Sequence, residues 1–133
     1  MTTRPVRHVS ISIERRPEDV YGFLSDPANF PQWADGLGHS FEPLGGPDWR
    51  AVTPMGAMII RFTPPNAFGV VDHDVIPDDG APMANPMRVI ANGDGSEVMF
   101  TLFHRPDMSD EDFERDADWV AKDLRVLKAV LEG

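Results

Sequence analysis

The chain has 133 residues, no cysteine and a formal net charge of -10, from 22 acidic against 12 basic side chains. That length suits one domain, residues 1–133, with a real core. The missing cysteines exclude disulfides, thiolate catalysis, Cys-ligated zinc and iron–sulfur centres, and the acidic surface disfavours phosphate backbones and anionic membranes.

Val6 to Ile13 reads as a strand, with Val9, Ile11 and Ile13 on its apolar side. Arg16-Pro17-Glu18-Asp19 opens a helix, because proline suits the first helical position and acids suit the positive end of the dipole. Val20, Phe23 and Leu24 give that helix an apolar side, and Asp26-Pro27 ends it. Ala28 to Trp33 then predicts one or two helical turns that bring Phe30 and Trp33 together. From Gly36 to Arg105 the pattern has period two, cut by turns. Six strands follow: Leu37 to Leu44, Trp49 to Thr53, Ala57 to Thr63, Phe68 to Ile76, Met83 to Ala91 and Glu97 to Arg105. Pro86 gives the fifth of them a bulge or an edge position. Asn92-Gly93-Asp94-Gly95 is the strongest turn signal in the chain.

Asp107 to Gly133 reads as a helix capped by Ser109, with Asp112 in reach of a shortened capping box. Phe113, Ala117, Val120, Leu124, Leu127 and Leu131 form one stripe, widened by Trp119, Val126 and Val130. The acids from Asp110 to Asp118 read as a solvated helix start rather than a metal site. A stripe that long needs a whole sheet to lie against. The fold class is therefore α+β: a strand, two helices, six strands and a long helix, with a curved seven-stranded antiparallel sheet wrapped around the last helix. Such a half-barrel leaves room for a pocket between sheet and helix.

This order of elements resembles the polyketide cyclase/dehydrase and lipid-transport family of the START-like (helix-grip) superfamily. The resemblance rests on SISIERRPEDVYGFLSDPANFPQWADG, FGVVDHDV, MRVIANGDGSEVMFTLF and the terminal WVAKDLRVLKAVLE. It implies the helix-grip fold, and a function drawn from binding of sterols, lipids, hormones or quinones, or from cyclase and aromatase chemistry. It carries over no catalytic signature.

The strand phases turn His39, His73 and His104 toward the apolar side. Each is either an acid–base group, a ligand-orienting group or a metal ligand, or a structural histidine satisfied by a backbone carbonyl. Asp72 and Asp74 flank His73 and should face outward. Phe30, Trp33, Trp49, Phe62, Arg88, Phe100, Val120 and Leu124 are the candidate pocket wall, with Trp33 as a lid. Glycine loops, serine elbows and metal motifs give no match, so no cofactor and no metal are expected. Met99 and Phe103 are apolar on the outer face of the last strand, which calls for a covering loop or a homodimer.

The first expectation for function is therefore binding of a small, mostly apolar molecule, aromatic or lipid-like. The alternative is a cyclase, aromatase or dehydratase acting on a polyketide-like substrate through histidine acid–base chemistry. Nucleic acid is not an expected partner. No run reaches the roughly 18 apolar residues of a membrane span, and no signal peptide follows the start, so stable membrane insertion is not expected and the cytoplasm is the default location.

Overall fold

The computed structural model describes residues 2–34, 40–54 and 56–133. The chain opens with β1 (Val6–Ile13), α1 (Pro17–Leu24) and a 3-10 helix (Pro27–Gln32). The strands β2 (Ser40–Pro43), β3 (Asp48–Thr53), β4 (Gly56–Phe62), β5 (His73–Pro77), β6 (Met83–Asn85), β7 (Met87–Asn92) and β8 (Gly95–Phe103) follow, and α2 (Asp110–Glu132) closes the chain. All strand pairs are antiparallel, in the orders β1-β8-β7 and β2-β3-β4-β5-β6.

The two sheets are one curved surface because β6 and β7 are halves of the expected strand over 83–91. Pro86 has no N–H to give to a ladder, so the strand breaks there, but its carbonyl still accepts from Thr101 N at 2.9 Å. On one side of the break β6 pairs with β5, and on the other β7 pairs with β8. The Asp72 carboxylate accepts from the Met87 amide at 2.7 Å, and so satisfies backbone at the break.

The expected strand over 68–76 is shorter than the sequence implied. Its regular part is His73–Pro77. Upstream, the Asn66 side chain competes with the ladder: its oxygen accepts from the amides of Phe68 and Val70, at 2.9 and 3.1 Å, and its nitrogen donates to the Val70 carbonyl at 2.9 Å. Gly69, at φ +69°, then lies so close to β7 that a Cβ would collide with the Val89 carbonyl. The expected strand from Leu37 begins at Ser40; Leu37, Gly38 and His39 lie outside the described residues.

The core lies between the concave face of the sheet and α2. Ile13, Val89, Val98, Phe100 and Leu102 face inward from the strands, and Phe113, Ala117, Leu124, Leu127 and Leu131 from the helix. The helix starts where Ser109 caps it, its hydroxyl accepting from the Asp112 amide at 3.0 Å. Its other end is pinned to the turn after β1. Arg15 donates to the Leu131 carbonyl at 2.5 Å, Lys128 donates to the Ser12 carbonyl at 2.7 Å, and the Glu132 carboxylate accepts from the Glu14 amide at 2.8 Å. On the outer face, Met99 and Phe103 are half-buried in the central strand, opposite Ser10 and Arg88 and opposite Val6. Among the described residues, no helix is long and apolar enough to cross a membrane.

Candidate functional site

The 3-10 helix places Phe30 at the centre of a cluster of rings. Its ring centroid lies 5.2 Å from Trp33, 5.8 Å from Phe41, 5.3 Å from Phe62 and 5.1 Å from His73. Phe100 reaches His73 from β8 at 6.0 Å, and Trp49 stacks on Phe41 at 4.7 Å. Edge-to-face contacts of this kind add to the burial of the rings. Much of the space expected as a cavity under the sheet is therefore occupied by aromatic side chains. Trp33, expected as a lid, is a buried ring at 5 % exposure.

Beside this cluster a cleft of about 750 Å³ opens between the sheet and the first half of α2. Its apolar walls are Phe30, Ala34, Met58, Ile60, Val75, Met108 and Trp119. Met58 and Ile60 come from the inward phase of β4 and Val75 from that of β5. Charged groups ring the helix side: Arg105, Asp107, Asp112, Arg115, Asp116 and Asp123. Arg105 pairs with Asp107 at 3.6 Å and Arg115 with Asp112 at 2.9 Å. Burial holds the Asp116 carboxyl above the usual carboxylate range.

Of the expected wall residues, Phe30 lines the cleft. Trp33, Phe62 and Phe100 pack in the ring cluster behind it, with Trp49 at the cluster's edge on Phe41. Val120 packs partly buried against the core, and Leu124 is fully enclosed at 1 % exposure. Arg88 does not face the interior. Its neighbours Met87 and Val89 take the buried phase of β7, which turns Arg88 outward into an ion pair with Asp72. Strand reading missed Met58, Ile60 and Val75 as cleft walls because alternation tells inward from outward but not filled from open. A sequence signal for the helix side does exist. Asp112, Asp116, Trp119 and Asp123 recur at helical spacing, beside the core stripe rather than opposite it.

The two described candidate histidines, His73 and His104, lie in separate surroundings. His73 is buried at 6 % exposure among Phe30, Phe62 and Phe100, and hydrogen-bonds to the Val71 backbone. His104 lies just past β8, its ring 4.8 Å from Phe113, with Nδ1 3.0 Å from the Arg105 carbonyl and Nε2 2.9 Å from Asp110. His39 lies outside the described residues. Burial pushes the His73 imidazole down to about 4 from its ordinary 6.5, because the apolar surroundings penalise the charged form. A base whose folded value is depressed leaves the unfolded chain binding more protons between the two values. Its contribution is complete above the upper value and is lost as pH falls through the window. Relative to His73→Phe, the wild type is expected to lose about 3 kcal/mol of stability between about pH 7 and about pH 4. Denaturant melts of both proteins across that range check it. Parallel pH curves would mean that His73 titrates as it does in water.

The fold is matched widely among solved structures. An uncharacterized protein from Bacillus thuringiensis aligns over 97% of this chain and 100% of its own, at TM-score 0.75 and 17% identity. A START superfamily protein from Mycobacterium smegmatis aligns over 96% and 97%, at TM-score 0.72 and 12% identity. The chain has the START-like, helix-grip fold. The same helix-grip fold appears in the Aha1 dimer from Colwellia psychrerythraea, which aligns over 96% of each chain at TM-score 0.74 and 16% identity. No family model and no curated protein matches the chain. Identities this low support the helix-grip fold and leave function to the site.

Proposed function

We propose that this chain binds a small, mostly apolar molecule, aromatic or lipid-like, in the cleft between the sheet and α2. One observation carries the reading: the cleft of about 750 Å³ is lined by the apolar side chains of Phe30, Met58, Ile60, Val75 and Met108. Helix-grip proteins close their sheet on a long helix, and this is the side on which α2 leaves the sheet uncovered. Histidine acid–base catalysis draws no support from the two described candidates. His73 is sealed behind Phe30 and His104 is bonded to Arg105 and Asp110. A pair of acid–base groups would have to share one reacting atom.

The test uses neutral N-phenylnaphthylamine, whose emission rises in apolar surroundings. One saturable site is expected, with a dissociation constant on the order of micromolar. Met58→Lys places a charge on the half-exposed wall and is expected to weaken binding at least about tenfold without unfolding the chain. Non-saturable binding, or binding indifferent to Met58→Lys, overturns the reading. Where binding is saturable and weakened by Met58→Lys, native mass spectrometry of the protein purified from its own organism names the ligand.

A further inference from the structure

We propose that the open edge of β1 pairs antiparallel with the β1 of a second copy of this chain, with the two-fold axis at His8. The inference is independent of the cleft and of what binds there.

The register decides which backbone groups of β1 are free. One step beyond the pair Val6 and Phe103, the His104 amide donates to the Pro5 carbonyl at 2.9 Å. Bonded pairs alternate along an antiparallel ladder, so Arg7, Val9, Ile11 and Ile13 bond to β8. Val6, His8, Ser10 and Ser12 turn their N–H and C=O groups the other way. At the far end α2 has already taken this edge. Lys128 donates to the Ser12 carbonyl at 2.7 Å, and the Glu14 amide donates to Glu132 at 2.8 Å. Val6, His8 and Ser10 are left. All three are exposed, and among the described residues nothing bonds to their outward backbone groups. The opposite edge of the sheet is protected. There β2 is four residues long and carries Glu42 and Pro43, a charge and a proline of the kind that keep an edge from pairing. By contrast β1 runs for eight residues in unbroken register, and its inward charge, Arg7, is engaged by Glu114 of α2.

A second β1 fits this stretch in geometry and in charge. The free positions are symmetric about His8. Antiparallel pairing around that residue sets Val6 against the partner's Ser10, His8 against the partner's His8, and Ser10 against the partner's Val6. Each of these pairs exchanges both of its bonds, so every free group of the stretch is satisfied and none is asked of the Ser12 carbonyl. A longer foreign strand would meet the Lys128 and Glu132 side chains on the edge beyond Ser10. The net charge of -10 opposes contact between copies over most of the surface. Residues 1–13 are different, because they contain Arg4 and Arg7 and no acid. The same pairing carries Arg4 to the partner's Ser12. The Ser12 hydroxyl there donates to Glu97, so the basic start of one strand meets an acid at the end of the other. The two-fold axis makes that contact twice.

Sedimentation equilibrium of the wild type from about 1 to about 200 µM is expected to show monomer and dimer in exchange, with a dissociation constant on the order of 10 µM, as suits a small interface. His8→Pro removes the N–H at the axis, at a position where an edge strand accepts proline, and is expected to weaken the dimer at least about tenfold. His8→Ala loses the same ring contact with Thr101 but keeps the N–H, and should keep the dimer. A cross-linking measurement stands apart from the folding of the proline variant. The chain has no cysteine, and residues facing each other in a bonded antiparallel pair have Cα atoms about 5.5 Å apart, within reach of a disulfide. Mild oxidation is expected to join His8→Cys to its own copy, while Ser12→Cys, which faces the partner's Arg4, stays unjoined. A wild type that remains monomeric throughout overturns the pairing. So does a dimer indifferent to His8→Pro, or one in which His8→Cys cross-links no faster than Ser12→Cys.

Discussion

Leu124→Ala is expected to cost the fold about 2–5 kcal/mol, as a packed leucine does when its removal leaves a cavity. Leu124 is 1 % exposed, and Leu127 and Leu131 continue the same buried stripe toward the end of α2 that is pinned to β1. It does not line the cleft, so no empty space is ready to absorb the loss. That loss is a large fraction of the roughly 5–15 kcal/mol that holds an ordinary domain together. Urea melts at neutral pH read it directly. His104→Ala serves as the comparison, since its ring lies at the rim against Phe113 and Asp110. A Leu124→Ala cost below about 1 kcal/mol, or below that of His104→Ala, would move the open space of the molecule to the middle of the helix.

Phe30→Ala is expected to cost about 3–5 kcal/mol, the usual range for a buried phenylalanine. The ring touches the faces or edges of Trp33, Phe41, Phe62 and His73 at once, so one truncation loosens contacts on four sides. One side of the ring already borders the cleft, which brings the value toward the lower end. A second consequence separates loss of packing from general unfolding. Without Phe30 the cleft extends to His73, water reaches the imidazole, and the acid sensitivity derived from its burial should diminish. Melts of Phe30→Ala at neutral and acid pH measure both effects. An unchanged pH dependence would show that Phe62 and Phe100 alone keep His73 dry.

The two truncations test different layers of one architecture. Leu124 belongs to the part that α2 covers, where helix stripe and sheet bury each other. Phe30 belongs to the part that α2 leaves open, where a short helix plugs the sheet with rings. The ligand site falls at the border between them. That position explains why its walls are apolar on the sheet side and charged on the helix side. On the face of α2 turned to the cleft, beside the buried stripe, Asp112, Asp116 and Asp123 take the polar composition of a solvated face.

The sequence by itself determined the order of elements, the grip of a long helix on an antiparallel sheet, and the inward phase of most strands. These are local matters. Period-two alternation in Met58, Ile60 and Phe62, the helical stripe through Leu124, the Ser109 cap and the turn at Gly93 each arise from neighbours a few residues apart. The break at Pro86 was equally legible, because a missing N–H is a property of the residue. Tertiary structure decided what happens where distant segments meet. Asn66 turned the first part of an expected strand into a loop by bonding backbone that the ladder would have used. Asp72 was drawn to Arg88 and to the Met87 amide, and His73 into a nest of rings from the 3-10 helix, β4 and β8. Whether an inward-facing side chain fills space or borders it depends on how many other inward-facing chains reach the same point. Alternation along a strand carries no such count. That is why the sequence pointed to an interior cavity walled by Phe62, Phe100 and Leu124, and the folded chain packs those residues and opens its cleft one layer away, against Met58, Val75 and Trp119.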